Sequence, residues 1–144
     1  MTYCILVLSF NLSMSPLYPK KILIVDDEAD VRFFLSNILK RAQYAVFSAA
    51  TGEEAIELAK TRQPDLIVLD ILLPGVDGGS VAETLSEDQA TAAIPILFLT
   101  GILSKEEELL GKKEGGVKSG KHFMMAKPVA KEELLAMIAK ILCA

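Results

Sequence analysis

The chain has 144 residues, which fits one compact domain but not a second domain with its own hydrophobic core. Apolar residues make up 51% of the chain and charged residues 24%, which excludes intrinsic disorder over most of its length. The net charge of −4 lacks the basic excess typical of nucleic-acid binders, so we expect no direct nucleic-acid binding. Two cysteines and one histidine predict neither a disulfide framework, nor a cysteine-based zinc site, nor a multi-histidine metal site.

The first stretch, residues 1–19, carries no charged side chain. Its apolar run at residues 3–10 is shorter than the roughly 20 residues that span a bilayer, and it lacks the basic region and cleavage site of a secretory signal. We therefore expect a poorly ordered extension, part of which a translation start at Met14 would remove. A packed extra strand and a membrane-associating or partner-binding tag are the alternatives.

From residue 20 onward, short apolar runs alternate with stretches of helical periodicity. Such runs are typical of strands buried on both faces of a sheet. The predicted strands cover residues 21–25, 44–49, 65–70, 94–99 and 122–126.

A predicted helix follows each strand. In the first helix, the apolar residues recur three or four positions apart, which places Phe34 on the buried face. Thr51 and Glu54 have the spacing of a capping box, and a second such pair begins at Ser104. The predicted helices cover about residues 31–42, 51–61, 80–88, a stretch from 104 onward, and 131–142.

The alternation of strands and helices predicts right-handed crossovers and a parallel sheet with helices on both faces. Five strand–helix units fit a doubly wound, five-stranded α/β domain of the flavodoxin-like (βα)5 kind, with strand order 2-1-3-4-5. We place this domain at residues 20–144.

Polar side chains stand where four of the predicted strands end. Asp26 and Asp27 follow the first strand, and the third strand ends in Asp70. Thr100 ends the fourth strand and Lys127 follows the fifth. In an open parallel sheet, ligands bind beyond the carboxyl ends of the strands, so we expect these five side chains to converge on one edge.

The chemistry of this set favours phosphoryl transfer. Three neighbouring carboxylates repel one another, and a hard divalent cation such as Mg²⁺ relieves the repulsion. A remaining carboxylate can then attack a phosphoryl group, because aspartyl phosphate is an established type of covalent intermediate. The Lys127 ammonium and the Thr100 hydroxyl can balance charge that develops on the phosphoryl oxygens.

Four stretches together carry a family resemblance: IVDDE at residues 24–28, LDILLPGVDG at 69–78, TG at 100–101 and KP at 127–128. With them, residues 20–143 resemble the receiver domain of two-component response regulators, of the chemotaxis-regulator type. The resemblance implies a phosphorelay switch rather than an enzyme, one that catalyses only its own phosphorylation.

The resemblance also implies residue roles. Asp70 is the expected phosphoacceptor, and Mg²⁺ is the expected cofactor. The implied metal ligands are Asp26, Asp27, Asp70 and the backbone carbonyl of Leu72.

Further implied roles concern the switch. Thr100 senses the phosphoryl group, Lys127 pairs with it, and the Lys127–Pro128 peptide bond is expected to be cis. Phosphorylation is expected to switch the face formed by the fourth helix, the fifth strand and the last helix.

The implied partners are a sensor histidine kinase or a phosphotransfer protein, together with an output partner that the sequence does not name. A homodimer stays open, as does the choice between a single-domain regulator and part of a longer protein. The resemblance implies a cytoplasmic location and no membrane span.

Two positions depart from the family pattern. Met124 stands where receivers usually carry Tyr or Phe, and strand alternation directs the neighbouring Phe123 to the opposite face. Gln43 stands where a glycine usually ends the first helix in a left-handed conformation.

Two other classes of function stay open. Met124 leaves room for a pseudo-receiver that keeps the fold but switches poorly. A cofactor carrier such as a flavodoxin would need a phosphate-binding loop after the first strand, where Asp26, Asp27 and Glu28 would repel phosphate.

Two expectations concern neighbours of the site. In receivers, the side chains two residues beyond the phosphoacceptor and beyond the switch threonine flank the path of hydrolytic water. They are Leu72 and Ile102, which are apolar and predict a long-lived phosphorylated state. His122 begins the fifth strand at the end opposite Lys127, so we expect it not to be catalytic.

Overall fold

A computed structural model of the chain describes residues 19–73, 75–100 and 122–143. Five strands form one sheet in which all four neighbouring pairs are parallel. They are β1 (Lys21–Val25), β2 (Ala45–Ala49), β3 (Leu66–Asp70), β4 (Ile96–Thr100) and β5 (His122–Ala126). Their order across the sheet is β2-β1-β3-β4-β5, which confirms the predicted fold class and strand order.

Helices cover both faces of this sheet. The described residues contain α1 (Ala29–Arg41), α2 (Gly52–Arg62), α3 (Gly78–Ser86) and α4 (Lys131–Cys143). Buried side chains of α1 and α4 pack on one face, and those of α2 and α3 pack on the other. None of these helices is long and apolar enough to cross a membrane. The helix predicted from Ser104, and the predicted extension up to residue 18, lie outside the described residues.

The central strands are buried on both faces, which explains their unbroken apolar runs. On β1, Ile22 and Ile24 pack towards α1 and α4, whereas Leu23 and Val25 pack towards α2 and α3. All four side chains are at most 1% exposed. This double burial fixes the strand from which the first two acidic residues of the site emerge.

Helix α1 buries a narrower stripe than its periodicity predicts. Leu35, Ile38 and Leu39 are buried, but Phe34 is 51% exposed, so its predicted place on the buried face is wrong. Successive residues are about 100° apart around a helix, which puts Phe34 roughly 90° from the centre of the buried stripe. The neighbouring Phe33, further round the helix, is 69% exposed.

The predicted capping box at α2 is present in altered form. The Thr51 hydroxyl accepts a hydrogen bond from the Glu54 amide at 3.1 Å, as expected. The Glu54 carboxylate accepts from the amide of Ala50 at 2.9 Å, one residue earlier than in the usual box. Both bonds still use donors at the start of the helix.

Gln43 follows α1 in the left-handed region, with a φ of 73°. This conformation costs a residue with a side chain on the order of 1 kcal/mol, whereas glycine adopts it freely. We therefore expect Gln43→Gly to raise the free energy of unfolding by about 0.5–1 kcal/mol, measured by urea denaturation.

Gln63→Gly is the matched control, because Gln63 also has a positive φ, of 48°. Its side-chain amide donates to the carbonyls of Ala59 and Lys60, at 3.2 Å each. Loss of these bonds should offset the relief of strain and leave the stability nearly unchanged. A Gln43→Gly variant no more stable than wild type would contradict the strain argument.

Candidate functional site

The five polar residues predicted from the strand ends lie at one edge of the sheet. Asp70 and Thr100 are the last residues of β3 and β4, and Asp26 directly follows β1. Asp26, Asp27 and Asp70 each place a carboxylate oxygen within 4.8 Å of the other two. Such a cluster of oxygen ligands fits a hard divalent cation.

Burial divides these residues into two groups. Asp26, Asp70 and Thr100 are 1%, 7% and 1% exposed, whereas Asp27 is exposed. Buried carboxylates require charge partners or hydrogen-bond donors, because desolvation penalises their charged form. The two buried acids must therefore be compensated from within the fold.

Lys127 supplies the positive charge for that compensation. Its Nζ donates to Asp26 Oδ2 at 3.1 Å and lies 3.6 Å from Asp70 Oδ2. The Lys127 backbone amide donates to the Thr100 carbonyl at 2.8 Å, which extends the β4–β5 ladder by one residue. The Lys127–Pro128 peptide bond is cis, as predicted. The Lys127 ammonium, which follows the end of β5, thus contacts both buried carboxylates.

Burial and the charges of the cluster together shift the pKa values of Asp70 and Lys127. Burial and the nearby Asp26 charge raise the pKa of Asp70 above its ordinary value, against the opposing effects of Lys127 and of the Leu72 amide. Burial alone would lower the pKa of Lys127, but its hydrogen bond to Asp26 and the charges of Asp26 and Asp70 raise it overall. Lys127 therefore stays cationic at neutral pH.

The raised pKa of Asp70 predicts a pH dependence of stability in the absence of metal. Because this pKa is higher in the folded than in the unfolded chain, stability falls as the pH rises through the folded-state pKa. Asparagine at this position cannot ionise. We therefore expect the free energy of unfolding of Asp70→Asn, relative to that of wild type, to increase from acidic to neutral pH. Urea denaturation in the presence of a chelator measures this difference. A stability difference that does not change with pH would contradict the assigned shift.

The loop after β3 is tied to the site. The Leu72 amide donates to Asp70 Oδ1 at 3.3 Å, and the Leu72 side chain is 53% exposed. The Gly78 amide donates to the Ile71 carbonyl at 2.8 Å, which brings the start of α3 back against the end of β3. Pro74, within the same loop, lies outside the described residues.

The other predicted residues lie where strand geometry places them. Phe123 packs against the face that carries α4, whereas Met124 is 39% exposed. His122 begins β5, and its ring meets Phe98 edge to face at 5.8 Å, away from the carboxylate cluster. Ile102 lies outside the described residues.

Arg32 was not predicted from the sequence as a neighbour of the site. Its Nη1 donates to the backbone carbonyl of Asp26 at 2.8 Å. The only sequence signal for this contact is a basic residue on the first turns of the helix that follows the acidic pair. The signal is weak, because every residue has a backbone carbonyl and the acceptor therefore cannot be recognised from its residue type.

The comparisons with known proteins agree with this geometry. Residues 22–139 match the family model described as "Response regulator receiver domain". The chain is 42% identical over 123 residues to the alkaline phosphatase synthesis transcriptional regulatory protein PhoP of Bacillus subtilis, with 85% of the chain and 48% of that protein covered. It is 31% identical to protein PilH of Pseudomonas aeruginosa, with 85% and 97% covered. The chain spans about half the length of several curated relatives that it matches.

Solved structures give the same result. A putative response regulator from Chloroflexus aurantiacus superposes with a TM-score of 0.74 at 33% identity, covering 88% of this chain and 99% of that one. The chemotaxis protein CheY4 of Vibrio cholerae superposes with a TM-score of 0.72 at 30% identity, covering 85% and 98%. The chain belongs to the response regulator receiver domain family.

Proposed function

We propose that the chain accepts a phosphoryl group on Asp70 in a Mg²⁺-dependent reaction, from a sensor histidine kinase or a phosphotransfer protein. One observation carries this proposal: three carboxylates within 4.8 Å of one another, two of them buried and contacted by the same lysine. The relatives support the class of function, because proteins named as response and transcriptional regulators share this domain.

In this proposal Asp70 is the nucleophile. A carboxylate oxygen of Asp70 attacks phosphorus, the bond from phosphorus to the donor's imidazole nitrogen breaks, and that nitrogen keeps the electron pair. Lys127 neutralises one carboxylate charge before the reaction and can pair with the phosphoryl oxygens afterwards.

Asp26 and Asp27, with Asp70 and the Leu72 carbonyl, would hold Mg²⁺, which supplies positive charge for the phosphoryl oxygens. The three carboxylates fit such an ion because each offers an oxygen ligand, and these oxygens lie within 4.8 Å of one another. Few protein ligands and retained waters predict millimolar to submillimolar affinity, on the order expected for such sites.

The signal would leave the site through Thr100 and β5. Thr100 is buried at the end of β4, next to the ladder that carries Lys127. A phosphoryl group that recruits the Thr100 hydroxyl would bias the surface formed by β5 and α4, together with the helix predicted from Ser104. Exposed Met124 on β5 belongs to that surface. An output partner would read the change.

The test is the mass of the intact chain after treatment with acetyl phosphate. We expect one phosphoryl addition with Mg²⁺ and none with a chelator. Asp27→Ala should need at least about tenfold more Mg²⁺ for the same rate. Asp30→Ala is the matched control, since it removes another exposed acidic charge three residues away and should behave as wild type. Labelling that ignores Mg²⁺, or no labelling at all, would contradict the proposal.

Leu72 predicts how long the phosphoryl group survives. Its amide contacts the Asp70 carboxylate and its side chain is exposed. An apolar group at this position can screen the phosphorus from water but cannot orient a water molecule. We expect Leu72→Asn to speed dephosphorylation about tenfold, which corresponds to about 1.4 kcal/mol in the barrier. Leu72→Met keeps the position apolar and should leave the rate near wild type. Equal decay rates in the two variants would disprove this role.

A further inference from the structure

Asp26 makes four hydrogen bonds, one each through its backbone amide, its backbone carbonyl and its two carboxylate oxygens. Its amide donates to the Ala49 carbonyl at 3.1 Å, and its carbonyl accepts from Arg32 Nη1 at 2.8 Å. Its Oδ1 accepts from the Glu28 amide at 2.9 Å, and its Oδ2 accepts from Lys127 Nζ at 3.1 Å. Ala49 belongs to the neighbouring strand β2, Glu28 to the loop after β1, and Lys127 is the cation of the site. The fourth, Arg32, belongs to α1.

The position of the chain explains why the Asp26 carbonyl needs Arg32. β1 ends at Val25 and α1 begins at Ala29, so residues 26–28 form a three-residue connection that has left the β1–β3 pairing. A buried carbonyl without a ladder partner costs free energy unless another donor reaches it. Arg32 is half-buried on the first turns of α1, and its guanidinium reaches back to that carbonyl.

Asp27 depends on this connection more than Asp26 does. Within residues 19–73, 75–100 and 122–143, the exposed Asp27 side chain has no hydrogen bond or ion pair. The backbone therefore sets the direction of its Cα–Cβ bond, and the part of space that its carboxylate can reach depends on the orientation of the neighbouring peptide units. The peptide unit between residues 26 and 27 contains the carbonyl that Arg32 holds.

We infer that Arg32 is a positioning residue for the carboxylate cluster, holding the 26–27 peptide unit so that Asp27 faces the ion shared with Asp26 and Asp70. This inference rests on the proposed Mg²⁺ site and adds to it a residue that contacts neither the ion nor the phosphoryl group. Groups that orient metal ligands typically change affinity about 10- to 100-fold when they are removed.

Positioning and charge predict opposite results for the loss of Arg32. A positive charge near three carboxylates repels a cation, so its removal should tighten Mg²⁺ binding if charge alone mattered. If Arg32 acts by holding the peptide unit, its removal should weaken binding. The sign of the change in affinity therefore separates the two explanations.

The experiment is a Mg²⁺ titration of the unphosphorylated full chain, followed by the amide chemical shifts of residues 26–28. We expect Arg32→Met to raise the Kd about tenfold. Arg32→Lys should raise it less, since an ammonium still donates but lacks the length and planar fork of a guanidinium. Arg41→Met removes the same charge from the exposed end of α1 and should leave the Kd unchanged.

Each outcome decides the inference. An unchanged or lower Kd in Arg32→Met would overturn it, and so would a wild-type Kd in Arg32→Lys if the methionine variant did not fold. Thermal unfolding in a chelator identifies a variant that does not fold. If the wild type itself showed no Mg²⁺ binding, the proposed function would fail together with this inference. If wild type bound Mg²⁺ and the Arg32 variants bound equally well, only the inference would fail.

Discussion

Asp70→Asn is expected to abolish phosphorylation by acetyl phosphate while the fold persists. The amide of asparagine cannot form the acyl phosphate, although it keeps the size of the side chain and an acceptor for the Leu72 amide. Intact mass after treatment with acetyl phosphate and Mg²⁺ should show one phosphoryl addition in wild type and none in the variant. Circular dichroism and thermal unfolding would establish that the variant is folded.

Asp65→Asn is the matched control for this experiment. Asp65 precedes β3 at the opposite end of the same strand, where its carboxylate accepts from the Lys21 amide at 2.8 Å. The variant keeps an acceptor there and leaves the carboxylate cluster intact, so it should be labelled like wild type. Labelling that survives in Asp70→Asn would move the acceptor to another residue, with Asp26 and Asp27 as the first candidates.

The fold could be predicted because its signals are local. The runs at residues 22–25 and 66–69 are apolar on both faces of their strands, which is the mark of a central parallel sheet. β5 begins and ends at the predicted residues, His122 and Ala126. The rotation of α1 about its axis was harder to predict. Periodicity gives the angles between residues around a helix, but not which side of the helix faces the sheet. Phe34 was misplaced for this reason.

The membership of the site was predictable, but its contacts were not. Strand order brings Asp26, Asp70 and Lys127 to one edge, and this order follows from the alternation of elements. That Lys127 lies nearer to Asp26 than to Asp70 depends on side-chain packing, which the sequence pattern does not contain. The contact of Arg32 with the Asp26 carbonyl could not be predicted either, because a residue of any type supplies a backbone carbonyl. The roles assigned to these residues stay predictions.

Gly78→Ala is expected to have a large effect on both stability and phosphorylation. A methyl carbon on Gly78 would lie 2.6 Å from the carbonyl oxygen of Asp70 and 2.8 Å from the Cα of Ile71. Both are backbone atoms, so no side chain can turn away to make room. Overpacking of this kind costs about 1–3 kcal/mol, which urea denaturation would measure as a lower free energy of unfolding.

The same collision should impair phosphorylation beyond its effect on stability. The atoms that would be displaced belong to the proposed phosphoacceptor and to the next residue in the chain. A misplacement of about 1 Å in a reacting group can lower a rate about 100-fold. We expect the initial rate of labelling by acetyl phosphate to fall towards that extent at a temperature where the variant is fully folded.

Gly79→Ala separates this steric effect from a general effect of alanine at the start of α3. A methyl carbon on Gly79 would meet only Asp77 Oδ1, at 3.5 Å, which is an ordinary contact. Since alanine favours the helix over glycine by about 0.5–1 kcal/mol, Gly79→Ala should stabilise the chain slightly and label at the wild-type rate. If Gly78→Ala matched Gly79→Ala in both measurements, α3 would be able to shift away from β3 without moving Asp70. The close approach of Gly78 would then have no part in placing the carboxylate.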